Sequence, residues 1–109
     1  MKKTLMLATV FGFAVVLNAS AADAKANWES LCLKCHGADG KGQTTMGKKL
    51  GIKDLTDAKV QAELKDDAAA KTIKEGMKDK DGKTLMKPFD TLSDEEIKAL
   101  VQYVRSLKT

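Results

Sequence analysis

One histidine, two cysteines and one proline are all that this chain of 109 residues carries of those types. Two cysteines permit at most one disulfide, and they cannot fill the two separated pairs of Cys and His ligands on which structural zinc sites usually draw. The longest apolar run, Leu5 to Leu17, is 13 residues, short of the roughly 20 needed to span a bilayer, so no stable membrane insertion is expected. Aromatic residues make up 5% of the chain, and lysines and acids are interspersed from Lys53 to Lys108. A nucleic-acid binder would want a concentrated basic face and stacking aromatics, so this charge reads as a solvated surface. No stretch beyond the first 22 residues alternates apolar and polar residues over the length a strand needs. Internal repeats, low-complexity runs and a second domain are also missing, which leaves an all-α domain as the expected fold class.

What is present begins with a targeting pattern. Lys2 and Lys3 precede the apolar run, and Asn18-Ala19-Ser20-Ala21-Ala22 supplies the small residues that signal peptidase accepts. Residues 1–22 are therefore read as a cleavable export signal and residues 23–109 as the mature domain, with Ala21 and Ala24 competing with Ala22 as the cleavage point. Export places the domain in the periplasm, and no cysteine near the cleavage region offers a lipid anchor. Cleavage removes Lys2 and Lys3 and no acid, so the net charge falls from +4 to +2. The remaining 87 residues are few for a stable core, and chains of this size often need a staple.

The helical segments can be read from periodicity and caps. A first helix is expected from about Ala24 to Lys34 with Asp23 as cap, placing Trp28, Leu31, Cys32 and Cys35 on one face. Gly37-Ala38-Asp39-Gly40-Lys41-Gly42 should break it, and this loop fits neither the dinucleotide nor the Walker glycine spacing. Gln43 to Lys53 reads as irregular. Thr56 or Asp57 can cap a helix from Ala58 to about Leu64, and Asp66-Asp67 can start another over Ala68 to Glu75, closed by Gly76. Met77 to Asp90 reads as a solvated loop, its aspartates lacking the later ligands of a calcium loop. Ser93-Asp94-Glu95-Glu96 is a capping box for a last helix, whose stripe of Ile97, Leu100, Val101, Val104 and Leu107 should pack on the Trp28 face.

Cys32-Leu33-Lys34-Cys35-His36 carries the chemistry. Cys-x-x-Cys-His is the attachment signature of c-type haem, in which two thiols reach two vinyl groups on one porphyrin edge and the following histidine turns toward the iron. A thioredoxin-like dithiol would need a neighbouring βαβ pattern, which the chain lacks. Zinc would need a fourth ligand where the chain has one cluster, and a plain disulfide is the remaining alternative.

Several further positions strengthen the motif. Trp28 precedes the first thiol by four residues, Ile73 and Gly76 come later, then Met86 with Phe89, and Leu92-Ser93-Asp94-Glu95-Glu96-Ile97 through Tyr103-Val104. In this order and spacing the mature chain resembles a small bacterial monohaem class I cytochrome c. The resemblance implies about four short helices packed around one covalently bound haem c, with the N- and C-terminal helices crossing. It further implies thioethers at Cys32 and Cys35, His36 as proximal iron ligand, and a methionine of the later loop as distal ligand. Since His36 is the only histidine, bis-histidine ligation within one molecule is impossible. Met46, Met77 and Met86 are the sulfur candidates of the mature chain. Met86 is chosen because it lies before the last helix, between Leu85 and Phe89 and close to Pro88. Trp28 and Phe89 are expected to pack on the haem. Two departures from the family stand out: Lys87 separates Met86 from Pro88, and Gly47-Lys48 replaces a Gly-Pro pair whose carbonyl often accepts from the proximal histidine.

A six-coordinate His/Met iron has no position for substrate, and this ligand pair favours a raised potential. The expected function is a soluble, monomeric carrier of single electrons that docks transiently on a donor and an acceptor redox protein, and is not an enzyme. The alternative is a haem-based gas sensor with an open or labile sixth position. Peroxidase chemistry would need distal acid–base groups, and no second histidine exists. Lys34, Lys41, Lys48, Lys49 and Lys87 could form a positive docking rim or an ordinary surface; only a rim would make partner encounter salt-sensitive.

Overall fold

Where the sequence suggests a regular first helix, the computed structural model, which describes Gly12 and residues 21–109, has an interrupted one. Helix α1 (Ala21–Asn27) runs into a π-helical turn (Trp28–Cys32) and then α2 (Leu33–His36). The Leu33 N–H reaches back five residues to the Trp28 carbonyl. Despite that extra residue the expected face keeps its burial pattern: Glu29, Ser30, Leu33 and Lys34 are exposed between its members, and Cys32 packs against the core that contains Trp28. Trp28 is buried, while Leu31, Cys32 and Cys35 are only half-buried. The rod is also longer than expected at both ends, and Asp23 lies inside its first turn instead of capping it. The reading of 1–22 as an export signal lies outside the described residues, apart from Gly12 and the two alanines that open α1.

The stretch from Gln43 to Lys53 is not irregular. It forms α3 (Thr45–Leu50), capped by the Thr44 hydroxyl accepting from Gly47 N–H and closed by Gly51 in the left-handed conformation. Helix α4 (Ala58–Glu63) starts at Asp57, whose carboxylate accepts from the Lys59 and Val60 N–H groups. Helix α5 (Asp66–Glu75) carries Asp66 and Asp67 in its first turn, where the helix dipole favours them, and stops at Gly76 with φ +78°. The expected solvated loop then proves to be a small antiparallel hairpin of β1 (Met77–Lys78) and β2 (Thr84–Met86). Its strands are shorter than the length at which alternation becomes readable, and Gly82, at φ +82°, makes its turn.

Helix α6 (Asp94–Ser106) begins at the full capping box, with Glu96 N–H bonded to Ser93 Oγ at 3.1 Å and Ser93 N–H to Glu96 Oε1 at 3.0 Å. Its stripe is buried as expected: Ile97, Leu100, Val101 and Val104. Leu100 and Val104 form the core with Trp28, and Leu55, Leu64, Ile73, Leu92, Tyr103 and Leu107 pack around them. Helices α1 and α5 both lie against α6, so the first and last described helices are in contact. Arg105 locks α6 to the α4–α5 turn, donating to the Gln61 carbonyl at 2.6 Å, to Asp66 Oδ1 at 2.9 Å and to the Leu64 carbonyl. Buried Gln61 returns across the same seam to the Val104 carbonyl at 2.8 Å. The domain is thus mostly helical, and among the described residues no helix is long and apolar enough to cross a membrane.

The capping box gives the fold a pH dependence. The Ser93 backbone N–H, then its side chain, hold the Glu96 carboxyl below the usual range. A depressed folded-state pKa means that this stabilisation is complete above the unfolded value of about 4.3 and fades as pH falls through the folded value. Urea midpoints should therefore drop further between about pH 6 and pH 3 in the wild type than in Glu96→Gln. Equal drops would show that the box contributes no such linkage.

Candidate haem-attachment site

Both thiols and the histidine sit where a helix is forced to end. Gly37 takes φ +82° directly after His36, its N–H bonded to the Leu33 carbonyl at 2.8 Å. The Gly37 carbonyl accepts from Trp28 Nε1 at 3.0 Å, so the buried indole grips the residue next to the histidine. The same indole lies against the His36 ring, with centroids 5.5 Å apart and planes at 39°, and against Tyr103 at 5.4 Å. Trp28 therefore joins the attachment motif to helix α6.

A second grip comes from α3, the element that the sequence hides. Thr44 Oγ1 donates to the Cys35 carbonyl at 2.6 Å while accepting from Gly47 N–H at 2.8 Å. One hydroxyl thereby ties the motif to the first turn of α3. Gly42 N–H donates to the His36 carbonyl at 2.8 Å. Gly47 approaches so closely that a Cβ there would lie 2.3 Å from the Gly42 carbonyl oxygen and 2.6 Å from that of Cys35. The signals for α3 were in the chain, a threonine at the cap and Gly51 after the last turn; the close approach at Gly47 leaves none.

The side chains are available for thioether formation and iron ligation, and their environment is unlike that of a redox dithiol. Cys32 and Cys35 are free thiols. Burial, and secondarily the nearby Cys35, push the Cys32 thiol up to about 11, opposite to the depressed values of reactive redox cysteines. Burial likewise pushes His36 below its usual value, keeping the imidazole neutral, the form that binds metal. Among the described residues His36 Nδ1 is buried with no hydrogen-bond partner, so none of their carbonyls takes the place of the missing Gly-Pro acceptor. Among the described residues no cluster of three or more His, Cys, Asp or Glu could hold a metal ion by itself. Two thiols beside a neutral imidazole fit a covalently attached haem.

The remaining candidates lie on the hairpin side. Met86 is half-buried on β2 and faces Met77 on β1. Gly76 underlies Met86: a Cβ there would meet the Met86 carbonyl oxygen at 2.5 Å and the Pro88 nitrogen at 2.8 Å. Its role is thus to let the hairpin close over the end of α5, beyond the helix-ending role that sequence suggests. Phe89 is buried, its N–H bonded to the Ile73 carbonyl at 2.9 Å, with Lys87 Nζ 5.5 Å from its ring centroid. Met46 sits on α3, half-buried and outside the hairpin. The structure brings Trp28, Cys32, Cys35 and His36 together, and it places Met86 and Phe89 on a separate segment.

Comparison with known proteins agrees with this site. Residues 19–104 match the family described as cytochrome c oxidase, cbb3-type, subunit III. The solved KustC0563 c-type cytochrome is 36% identical, with a TM-score of 0.69, covering 79% of this chain and 98% of that one. A solved tyrosine-to-phenylalanine mutant of that cytochrome aligns at 37% identity and TM-score 0.67, over 79% of this chain and 99% of the mutant. No curated protein matches. The protein is a small c-type cytochrome. It belongs to the cbb3-type cytochrome c oxidase subunit III family, and membership implies covalently bound haem c and redox partners.

Proposed function

We propose that the mature domain, residues 23–109, is an exported single-electron carrier with one haem c, bound through Cys32 and Cys35 and ligated by His36 and Met86. The observation that supports this most strongly is the triad of two free thiols and one neutral imidazole at the end of α2. Cys32 and Cys35 would hold the haem as thioethers, each thiol adding its S–H across a vinyl group, so attachment would need no external oxidant or reductant. The bound group supplies a ferric–ferrous couple, whose potential a His/Met pair raises relative to more electron-donating pairs.

The chain's own residues do the rest. Trp28 lies tilted against His36 and holds Gly37 by a hydrogen bond, so the imidazole is oriented without a bond at Nδ1 among the described residues. Trp28, Leu100 and Val104 keep water from the histidine side and lower the local dielectric. Gly76 holds the hairpin backbone against the end of α5, which is the backbone from which Met86 would ligate the iron.

Mass and absorption of the purified mature protein test the proposal together. The expected mass is residues 23–109 plus one haem, with a low-spin spectrum in both redox states and a weak near-infrared sulfur-to-iron band when ferric. A mass equal to bare polypeptide would sink it. Rapid carbon monoxide binding by the reduced protein would show an open sixth position and turn the reading into ligand sensing.

A further inference from the structure

Met77 and Met86 are direct partners in the hairpin: Met77 pairs with Met86 and Lys78 with Thr84. One step along β1 thus spans two along β2, and Leu85 is the extra residue of a bulge. Such bulges re-aim side chains and are common beside functional sites. Facing residues of an antiparallel pair stand on one side of the ribbon with Cβ atoms about 5 Å apart. Methionine has three rotatable bonds and a polarizable sulfur, so either side chain can sweep the space beside the other.

The hairpin cannot easily separate the pair. Gly76, the residue before Met77, is already in contact with the backbone of Met86 and Pro88. The far end is closed by Asp79 N–H on the Lys83 carbonyl at 2.9 Å, with Asp79 Oδ1 accepting from Asp81 and Lys83 N–H. Phe89 N–H on the Ile73 carbonyl pins the strand leaving Met86 to α5. Meanwhile Met77 keeps 48% of its surface exposed, a large apolar side chain that the core does not use. Met46, on α3, shares none of this geometry.

We infer that Met77 is a reserve thioether ligand, positioned across β1–β2 to take the sixth iron position when Met86 is removed. This rests on the reading that a sulfur of this hairpin is the distal ligand. The hairpin then presents two donors in place of one, and loss of Met86 moves the bond across the ribbon instead of opening the iron.

Met77→Leu, Met86→Leu, the double variant and Met46→Leu, each as purified mature haem protein, test this through the near-infrared sulfur-to-iron band and carbon monoxide binding. Met86→Leu should keep at least half of the band at a shifted wavelength, and Met77→Leu should keep all of it. The double variant should lose the band and bind carbon monoxide rapidly, with Met46→Leu unchanged. Loss of the band in Met86→Leu alone would overturn the reserve role while leaving Met86 as ligand. Loss in Met77→Leu with retention in Met86→Leu would make Met77 the ligand and end both claims. A band that survives in the double variant, or is missing from the wild type, would place the sixth ligand outside the hairpin and overturn the inference with the reading beneath it.

Discussion

Trp28→Ala is expected to lower the unfolding free energy of the domain by about 4 kcal/mol, within the range for truncating a large buried aromatic. The indole is 2% exposed and forms the core with Leu100 and Val104, so truncation leaves a cavity in the middle of that core. Its removal also strips the Gly37 carbonyl of the Nε1 donor, leaving it only the longer bond from Gly40 N–H at 3.3 Å, a loss of about 1 kcal/mol more. A domain of this size has about 4–13 kcal/mol in all, at about 0.05–0.15 per residue, so the variant should sit close to its unfolding threshold at 25 °C. Trp28→Phe separates the two effects. It refills most of the volume but restores no donor, so it should cost about 1–2 kcal/mol. Urea midpoints at unchanged m-value measure both, and a Trp28→Ala midpoint within error of wild type would show that the His36–Trp28–Tyr103 stack carries no weight.

That stack also shows what the sequence makes readable. The burial of Trp28 and of Ile97, Leu100, Val101 and Val104 follows from 3.6-residue spacing, because a long amphipathic helix repeats its signal over several turns. The Ser93 box and the Asp57 cap were legible for the same reason: one polar side chain at a fixed offset from free N–H groups. Cys32, Cys35 and His36 are read from contiguous residues, which the fold brings onto one helix end. The π turn at Trp28–Cys32 has no such signal in the residue pattern. The hairpin escaped because its strands are two and three residues long, although Asp81-Gly82 did mark a turn. Helix α3 was hidden because only six residues fall between Thr44 and Gly51, too few for an apolar stripe to declare itself. Its importance to the site lies in tertiary bonds, Thr44 to Cys35 and Gly42 to His36, and a one-dimensional pattern does not encode them.

Gly47→Ala is the substitution expected to expose those bonds most sharply. Gly47 has an ordinary helical conformation, so alanine would normally stabilise such a position by about 1 kcal/mol. Here the added methyl would lie 2.3 Å from the Gly42 carbonyl oxygen and 2.6 Å from the Cys35 oxygen, both backbone atoms of the attachment segment. Neither can rotate away, and relief requires α3 to move off the motif, stretching the bond from the Thr44 hydroxyl to the Cys35 carbonyl. Overpacking of this kind costs about 3 kcal/mol or more, the upper end of the usual range of about 1–3. Gly51 supplies the control from the same helix. It has φ +67° and nothing within 4 Å of a would-be Cβ, so Gly51→Ala should cost only about 1–2 kcal/mol of left-handed strain and leave the haem spectrum as it is. Gly47→Ala should lower the urea midpoint by more than Gly51→Ala and perturb the absorption of the attached haem, because the displaced peptide is the one carrying Cys35 and His36. Equal stability losses with unchanged spectra would mean that α3 is a passive neighbour of the attachment motif and not its support.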